Sequence, residues 1–305
     1  MTFAHRLWKA LEEKGHPAMV GLDPRPEHFP EPFASHAKTG SRAAAEATRE
    51  YHRALLPLLA DKVAVVKPQA AFFEALGLYG WEVLWDAVQF AKELKLMVVL
   101  DAKRGDIGST SEAYAQAFLG GGQYGDLPKA DALTINPYLG EDACKPFLEV
   151  AATEKAGLFI LVKTSNPGAG LFQDWGEPPL AAQVADQVRQ WGSDRIDASG
   201  WSAVGAVVGA TRPQELAQWR QRMPQSPLLL PGFGFQGGTA AGLEPAFDAK
   251  GRGAIVNSSR SILWAHRRPE FAHLPNWESQ VEAALEEMCQ ALASLQQREK
   301  PEAHR

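Results

Sequence analysis

The sequence predicts an α/β protein, a single (β/α)8 barrel of the TIM type that occupies residues 1–305 as one domain. Eight short apolar runs recur along the chain, and most are separated by enough residues for a helix. Their near-continuous Val, Ile and Leu content is typical of parallel strands that are covered on both faces. Because no change of composition divides the eight units, they favour a closed barrel over an open doubly wound sheet.

The predicted strands end in polar or glycine-rich sequence in most cases. They lie near residues 18–23, 62–69, 96–104, 130–138, 157–165, 202–210, 227–234 and 252–260. Between and after them, "LYGWEVLWDAVQFAKELK" and "NWESQVEAALEEMCQALASL" carry apolar residues at helical spacing, the second behind an expected Asn276 cap. The last residues, 298–305, predict a disordered tail.

Composition narrows the class of protein. The chain is 45% hydrophobic and 22% charged, which argues against disordered, collagen-like and membrane proteins. Its formal net charge of -5, without a recurring basic cluster, argues against a nucleic-acid partner.

Cys144 and Cys289 lie far apart without metal-type neighbours, which suits a reducing compartment. The N-terminus carries Glu12 and Glu13 and predicts a surface helix rather than a targeting peptide, so we expect a cytoplasmic protein without a membrane partner.

The most heavily charged strand end is "VVLDAKRGDIGST", residues 98–110. Alternation along a strand predicts that Asp101 and Lys103 face the same side, about 7 Å apart, at the barrel end where such proteins carry their chemistry. A salt bridge that closes the barrel would account for this pair alone. Lys67 ends the neighbouring strand, however, and three charges in one low-dielectric place favour a functional array. Asp106 follows a glycine in the predicted loop, where it could reach inward or towards another subunit.

A second group of candidate residues predicts an anion site. "PGFGFQGG" (231–238) follows strand seven and "NSSR" (257–260) follows strand eight, so backbone N–H groups, hydroxyls and Arg260 meet where barrels commonly hold a phosphate. On its own, Arg260 would be read as an ordinary surface arginine. The glycines match G-x-G-x-x-G, but no acidic residue follows at the spacing of a ribose site, which argues against NAD.

A third group lies in "LVKTSNPGAG", residues 161–170. Thr164, Ser165 and Asn166 offer donors and acceptors to a planar amide or pyrimidine edge, and the long loop that follows could cover a ligand. A simple Ser/Asn turn is the alternative reading. The histidines form no pair at metal-ligand spacing, so no metal site is expected.

These motifs carry a family resemblance when they are taken together. "VVKPQAAFFEALG", "LDAKRGDIGST", "LVKTSNPGAG", "PGFGFQGG" and "VNSSRSI", in this order over residues 18–262, resemble the orotidine 5′-phosphate decarboxylase family, in particular its longer bacterial subfamily, type 2. The resemblance implies decarboxylation of orotidine 5′-phosphate to uridine 5′-phosphate in de novo pyrimidine biosynthesis, by a Lys-Asp-Lys-Asp array and without a metal or organic cofactor.

The resemblance also implies a role for each member of the array. Asp101 would lie against the substrate carboxylate, and Lys103 would deliver the proton to C6 as carbon dioxide leaves. Lys67 would hold the array and contact the ribose hydroxyls together with Asp23. Asp106 would complete the site of the other subunit in a homodimer and touch the ribose bound there.

The remaining contacts to the nucleotide are implied at the ends of strands one, five, seven and eight. Gln236 and Arg260 match the phosphate-binding residues of the family, and Ser165 with its neighbours matches the pyrimidine contact. Phe235 is larger than the resemblance leads us to expect, and 24–61 matches poorly. The full set of candidate substrate-binding residues is Asp23, Thr164, Ser165, Asn166, Gly234, Gln236 and Arg260.

Three other functions stay open on the sequence alone. A metal-dependent sugar-phosphate decarboxylase shares the D-x-K-x-x-D pattern, but it would need oxygen ligands for Mg²⁺ where strand two ends in Lys67. An aldolase that forms a Schiff base could use Lys163 or Lys103. A non-catalytic barrel that binds a phosphate ligand would show binding without turnover, and it would not need the three charged residues together.

Overall fold

The computed structural model describes residues 1–209, 213–234 and 240–296. Eight parallel strands close into a barrel in chain order, which confirms the predicted (β/α)8 fold. The predicted phosphate contact Gln236 and the predicted tail 298–305 lie outside the described residues. The strands are β1 (Ala18–Leu22), β2 (Val65–Pro68), β3 (Met97–Arg104), β4 (Ala132–Ile135), β5 (Gly157–Lys163), β6 (Val204–Val208), β7 (Leu228–Leu230) and β8 (Ala254–Ser258).

The helices form an outer layer around the strands, apart from the first, which lies at the amino end of the barrel. They are α1 (Phe3–Lys14), α2 (Phe33–His36), α3 (Ser41–Lys62), α4 (Ala70–Glu74), α5 (Leu78–Glu93), α6 (Gly108–Ala115), α7 (Glu141–Glu154), α8 (Gly170–Gln173), α9 (Leu180–Gly192), α10 (Pro213–Arg222), α11 (Ala240–Leu243), α12 (Arg260–Leu263) and α13 (Trp277–Ala293). The predicted cap of α13 is confirmed, because the Asn276 side chain accepts a hydrogen bond from the backbone N–H of Ser279 at 2.9 Å. No helix in the described ranges is long and apolar enough to cross a membrane.

Single-turn 3-10 segments connect several of these elements, and one π-helical turn extends α6. The 3-10 segments are Pro26–His28, Ala37–Thr39, Pro167–Ala169, Ser193–Arg195, Glu244–Ala246, Ala265–Arg267 and Pro269–Phe271, and the π turn is Gln116–Gly120.

Strand alternation decides which side chains enter the barrel. On β3, Val98 and Leu100 pack outward against the helices, whereas Met97 and Val99 pack inside the barrel. Asp101 and Lys103 continue this inward phase towards the carboxyl end of the strand. The side chains inside the barrel are therefore apolar towards the amino ends of the strands and polar towards their carboxyl ends.

Helix α1 closes the amino end of the barrel. Leu7, Trp8 and Leu11 are buried and pack with the inward residues of the strands. The Phe3 ring lies edge-on to the ring of Phe159, with 6.1 Å between their centroids. With this end filled by apolar side chains, the carboxyl end remains as the place where polar side chains of the strands reach solvent and a substrate.

Candidate active site

The charged array predicted from β2 and β3 is formed, with Asp101 at its centre. Lys67 Nζ lies 2.8 Å from Asp101 Oδ2, and Lys103 Nζ lies 2.5 Å from Asp101 Oδ1. Lys67 and Asp101 are 4% and 6% exposed, whereas the Lys103 side chain is 41% exposed. One lysine is therefore a buried counter-ion, and the other reaches from the same carboxylate into the open mouth of the barrel.

Two further side chains complete the surroundings of Asp101, and the sequence analysis did not single them out. Thr134 Oγ1 on β4 donates to Asp101 Oδ1 at 2.9 Å and accepts the backbone N–H of Lys103 at 2.9 Å. Gln69 Nε2 donates to Asp101 Oδ2 at 2.9 Å. The sequence signal for Thr134 is only that of a polar residue near the end of a strand, and Asn136 two positions later gives the same signal. Asn136 is exposed and accepts the N–H of Tyr138 instead.

The electrostatics of the array keep Asp101 and Lys67 ionised. Burial opposes ionisation of Asp101, but Lys67 and Lys103 outweigh it and hold the pKa of Asp101 far below its usual value. Burial likewise favours neutral Lys67, yet the carboxylates of Asp101 and Asp23 raise its pKa above the ordinary lysine value. Asp101 is thus a fixed anion and Lys67 a fixed cation at neutral pH.

The backbone of β3 is irregular where it presents Lys103. The register with β4 shifts between Leu100 and Arg104, and Lys103 has a φ of 49°, in the left-handed region. Such a conformation costs a non-glycine residue about 1–3 kcal/mol. The hydrogen bond from the Lys103 N–H to Thr134 helps to hold it. The next residue, Arg104, turns away to pair with Glu74.

The two other aspartates lie on opposite sides of this centre. Asp23 follows β1, its charge acts on Lys67, and its Oδ1 is buried without a hydrogen-bond partner in the described part of the chain. Asp106 lies beyond β3 and is partly exposed. Its Oδ1 accepts the N–H of Ile107 at 2.8 Å, and its carbonyl accepts the Ser111 hydroxyl. Asp23 therefore joins the array of its own chain, whereas the contacts of Asp106 are local to its loop.

The loop after β5 uses two of its predicted contact residues internally. Thr164 Oγ1 donates to Asn166 Oδ1 at 2.7 Å and accepts from Gln173 Nε2 at 2.7 Å. The Thr164 N–H also donates to Gln173 Oε1 at 2.9 Å. Ser165, between them, is partly exposed and packs beside Gly209 at the end of β6. Thr164 and Asn166 therefore hold this loop together, and Ser165 packs against the end of β6.

The predicted anion residues in the described ranges also meet at this end. Gly234, with a φ of 84°, lies in the turn after β7, and a Cβ there would come within 3.0 Å of Ser261 Oγ. Arg260 begins α12 directly after β8. Gly234 and Arg260 line one cavity of about 470 Å³, which extends towards α13. Gln236, the third predicted member, lies outside the described residues.

The fold and these side chains define a class of protein: a (β/α)8-barrel enzyme with a polar site at the carboxyl ends of its strands. The family model "Orotidine 5'-phosphate decarboxylase / HUMPS family" matches residues 19–272. The chain belongs to this family, as the sequence motifs indicated, and it is a carbon–carbon lyase of the carboxy-lyase class.

Individual relatives agree over almost the whole chain. The chain is 45% identical to the orotidine 5′-phosphate decarboxylase of Rhodopirellula baltica over 299 residues, which cover 96% of this chain and 99% of that protein. It is 38% identical over 277 residues to the enzyme of the same name from Caldicellulosiruptor saccharolyticus, covering 88% and 91%. Among solved structures, OMP decarboxylase from Leishmania donovani superposes with a TM-score of 0.74 at 31% identity, covering 97% and 99%.

Proposed function

We propose that this enzyme converts orotidine 5′-phosphate to uridine 5′-phosphate in de novo pyrimidine biosynthesis, in the cytoplasm and without a metal or organic cofactor. The observation that carries the proposal is the geometry of Asp101, whose two oxygens are each held by a lysine, one buried and one open to the barrel mouth. Relatives of the same length that bear this enzyme's name support the choice of substrate.

The chemistry needs a cation at the reacting carbon. Loss of a carboxylate from an sp² ring carbon leaves a carbanion with little resonance stabilisation. A fixed ammonium group beside that carbon stabilises the developing charge and can then donate its proton. We assign this role to Lys103, which is tethered to Asp101 at 2.5 Å and is still 41% exposed. Asp101 would lie against the leaving carboxylate, and Lys67 with Asp23 would bind ribose hydroxyls.

Positioning must supply much of the rate enhancement. Enzymes typically remove about 8–23 kcal/mol from the barrier, which is more than one proton transfer provides. Binding of the remote ribose and phosphate groups would hold C6 beside the Lys103 ammonium. In this proposal Gly234, Gln236 and Arg260 bind the phosphate, and Ser165 contacts the pyrimidine while Thr164 and Asn166 hold its loop.

The geometry favours this reaction over the rivals on the same scaffold. Both oxygens of Asp101 accept hydrogen bonds from lysine ammonium groups, so they are poorly placed to serve as Mg²⁺ ligands. Lys163, the other candidate for a Schiff base, is paired with Asp174. A purely binding barrel would not need a second, solvent-facing lysine on a carboxylate that Lys67 already neutralises.

The first test is decarboxylation of orotidine 5′-phosphate, followed by ultraviolet absorbance with the parent protein in excess chelator. Lys103→Ala should abolish turnover. Lys129→Ala is a matched control, because the Lys129 side chain is 38% exposed and pairs with a carboxylate, Glu154, at 2.8 Å away from the array. This control should keep parental activity. A folded parent protein without turnover, or with turnover that chelation removes, would contradict the proposal.

We also propose a homodimer in which Asp106 completes the site of the partner. Support comes from apolar side chains around the loops after β3 and β4: Ile107, Tyr138 and Leu139 are 59%, 74% and 49% exposed. The two loops touch, since a Cβ on Gly105 would come within 2.8 Å of the carbonyl oxygen of Asn136. Exposed apolar side chains beside a functional carboxylate are typical of an interface with another subunit.

Subunit mixing tests this arrangement. Lys103→Ala and Asp106→Ala proteins should each be inactive, and a mixture that forms hybrid dimers should recover about a quarter of the parental activity, because half of the dimers are hybrid and each has one intact site. Lys103→Ala mixed with Asp101→Asn is the control. Asp101 and Lys103 belong to the same chain's array, so this mixture should stay inactive. Failure of the first mixture despite demonstrated exchange would refute the shared site.

A further inference from the structure

Arg104 is a charged residue beside the array to which the roles above give no function. It is the last residue of β3, directly after Lys103. Leu100 and Ala102, which precede it on the same phase of the strand, pack outward against the helices. The Arg104 side chain is 21% exposed and also lies on this outer side, behind the strand and away from the barrel mouth.

Two neighbouring elements hold the Arg104 guanidinium in one place. Nη2 pairs with Oε1 of Glu74, the last residue of α4. The guanidinium carbon lies over two rings, 5.5 Å from the centroid of Tyr114 and 5.6 Å from that of Phe118. A carboxylate and aromatic faces are the partners that orient a planar guanidinium. Arg104 is therefore fixed by α4, which follows β2, and by α6 with its π turn.

The other terminal nitrogen of Arg104 reaches back to its own strand. Nη1 donates to the carbonyl oxygen of Ala102 at 3.2 Å. That carbonyl belongs to the peptide group between Ala102 and Lys103, and the N–H of the same peptide group donates to Thr134 Oγ1 at 2.9 Å. Two side chains thus hold the two ends of one peptide group, where the register with β4 shifts between Leu100 and Arg104.

The orientation of that peptide group decides where the Lys103 side chain points. Lys103 has a φ of 49°, a conformation that persists in a non-glycine residue only where the surroundings impose it. Rotation of the peptide group would change this φ. The Lys103 ammonium would then move relative to Asp101 Oδ1, from which it lies 2.5 Å away. Contacts on the outer side of β3 therefore control a side chain on its inner side.

We infer that Arg104 and Glu74 position Lys103: the Glu74 carboxylate orients the guanidinium, and the guanidinium holds the peptide group that precedes Lys103. This inference rests on the proposed function, in which Lys103 donates the proton. Both are positioning residues, because they lie behind β3 and do not contact the nucleotide. A displacement of about 1 Å at a reacting group can cost roughly 100-fold in rate, whereas binding of ribose and phosphate does not depend on it.

The first test separates turnover from binding. Arg104→Met should lower kcat for orotidine 5′-phosphate roughly 10- to 100-fold, and it should change the dissociation constant of uridine 5′-phosphate, measured by calorimetry, by less than about twofold. Arg53→Met is the matched control. Arg53 pairs with Asp86 at 2.5 Å and lies over the Phe90 ring at 5.2 Å, between α3 and α5. This control should keep the parental kcat.

Arg104→Lys distinguishes positioning from stabilisation of the fold. A lysine keeps the charge beside Glu74, but it lacks the planar fork that serves Glu74 and Ala102 together. In urea denaturation this variant should recover most of the unfolding free energy lost in Arg104→Met, while its kcat stays about tenfold or more below the parental value. Glu74→Gln in the Arg104→Met background should have no further effect on kcat, because Glu74 acts through Arg104.

Crystal structures of the variants test the inference without turnover. In Arg104→Met, the Lys103 ammonium should move by about 1 Å or more from its position at Asp101, while Lys67 keeps its contact with the same carboxylate. Arg53→Met should leave Lys103 in place.

Four results would overturn the inference. They are an unmoved Lys103 in the Arg104→Met structure, a kcat of that variant within about twofold of the parent, an equal loss of uridine 5′-phosphate affinity, and a parental kcat in Arg104→Lys. Failure of the proposed function would appear instead as a folded parent protein that does not decarboxylate orotidine 5′-phosphate. The crystal structures would still show whether Arg104 sets the position of Lys103, so the two failures are distinguishable.

Discussion

Thr134 is a small residue, but its hydroxyl makes two of the hydrogen bonds that hold the charged array in place. Its single hydroxyl donates to Asp101 and accepts the N–H of Lys103, at the strained position of β3. Thr134→Val keeps the shape and removes both hydrogen bonds. We expect kcat to fall roughly 10- to 100-fold with little change in KM, because a hydrogen bond to a charged group contributes about 1.5–3 kcal/mol and Lys103 would lose its alignment.

Thr48→Val is the matched control for that substitution. Thr48 is fully buried, as Thr134 nearly is, but its hydroxyl donates to the carbonyl of Ala44 within α3. Steady-state kinetics of the two variants should separate them, with Thr48→Val close to the parent in kcat. Equal kcat values for Thr134→Val and the parent would show that Lys103 is aligned by other contacts.

Single residues also show what the sequence could and could not predict about the site. Strand phase was enough to predict that Lys67, Asp101 and Lys103 meet, because their positions follow from alternation at the ends of adjacent strands. Strand phase could not identify Thr134, because the residue at which β4 ends must be known before its phase at the barrel mouth can be assigned. The left-handed conformation of Lys103 was equally hidden, because it results from a register shift between two strands rather than from local sequence.

At the level of elements, Arg220 joins α10 to the amino end of the barrel. Burial lowers its pKa to about 10, so the guanidinium remains charged at neutral pH. It lies over the Trp201 ring at 5.0 Å. Its N–H groups donate to four backbone carbonyls, those of Met223, Ser226, Ala246 and Gly253. Arg220→Met would leave these carbonyls without their donor, and we expect it to lower the free energy of unfolding by more than about 3 kcal/mol.

Arg222 offers the comparison on the same helix. It pairs with Asp186 at 2.6 Å, but the side chains are 38% and 43% exposed. Such surface pairs contribute about 0–1 kcal/mol, so Arg222→Met should change the denaturant midpoint little. Denaturation of the two variants side by side checks the prediction. Similar losses of unfolding free energy in both variants would mean that water hydrogen-bonds to the carbonyls around Arg220 when the guanidinium is removed.

The loop after β5 shows how far an element can be predicted from its sequence. Its length and glycine and proline content predicted a loop that could cover a ligand. The structure adds its attachment: Gln173 binds Thr164, and Asp174 pairs with Lys163. Those contacts join residues about ten positions apart through side chains, and no periodicity of the sequence encodes them.

For the whole molecule, the barrel was predictable because its strands are apolar on both faces and recur between helices. The strands are nevertheless shorter than the apolar runs. β7 is only Leu228–Leu230, since the Pro and Gly residues that follow leave the ladder. The closure of β8 on β1 and the packing of α1 under the barrel are contacts between distant parts of the chain. These contacts bury the edges and the amino end of the sheet. Local sequence patterns do not predict them, because they join residues far apart in the chain.

The folded protein should lose stability in mild acid because it buries neutral histidines. Burial lowers the pKa of His52 to about 4, and burial also lowers that of His266 to about 4, against 6.5 for the ordinary side chain. Between about pH 4 and pH 6.5, these two histidines are protonated in the unfolded chain but not in the folded chain. Stability is therefore fully present above about pH 6.5 and falls as the pH drops towards 4, by up to about 1.4 kcal/mol per pH unit for each histidine. Asp101 adds no loss in this window, because its lowered pKa preserves its contribution until the pH falls below the ordinary aspartate value of 3.8.

His52 is the better residue for measuring this effect. It is 2% exposed between Tyr51 and Phe73, and neither ring nitrogen has a hydrogen-bond partner in the described ranges, so His52→Leu removes the titration without breaking a polar contact. Urea denaturation at several pH values should show a slope of unfolding free energy between pH 6.5 and 4.5 that is smaller by about 1.4 kcal/mol per pH unit in this variant. His273→Leu, at an exposed position, should leave the slope unchanged. If the His52→Leu slope equals that of the parent, His52 takes up its proton in the folded state, and the packing around α3 must admit water or an acceptor to it.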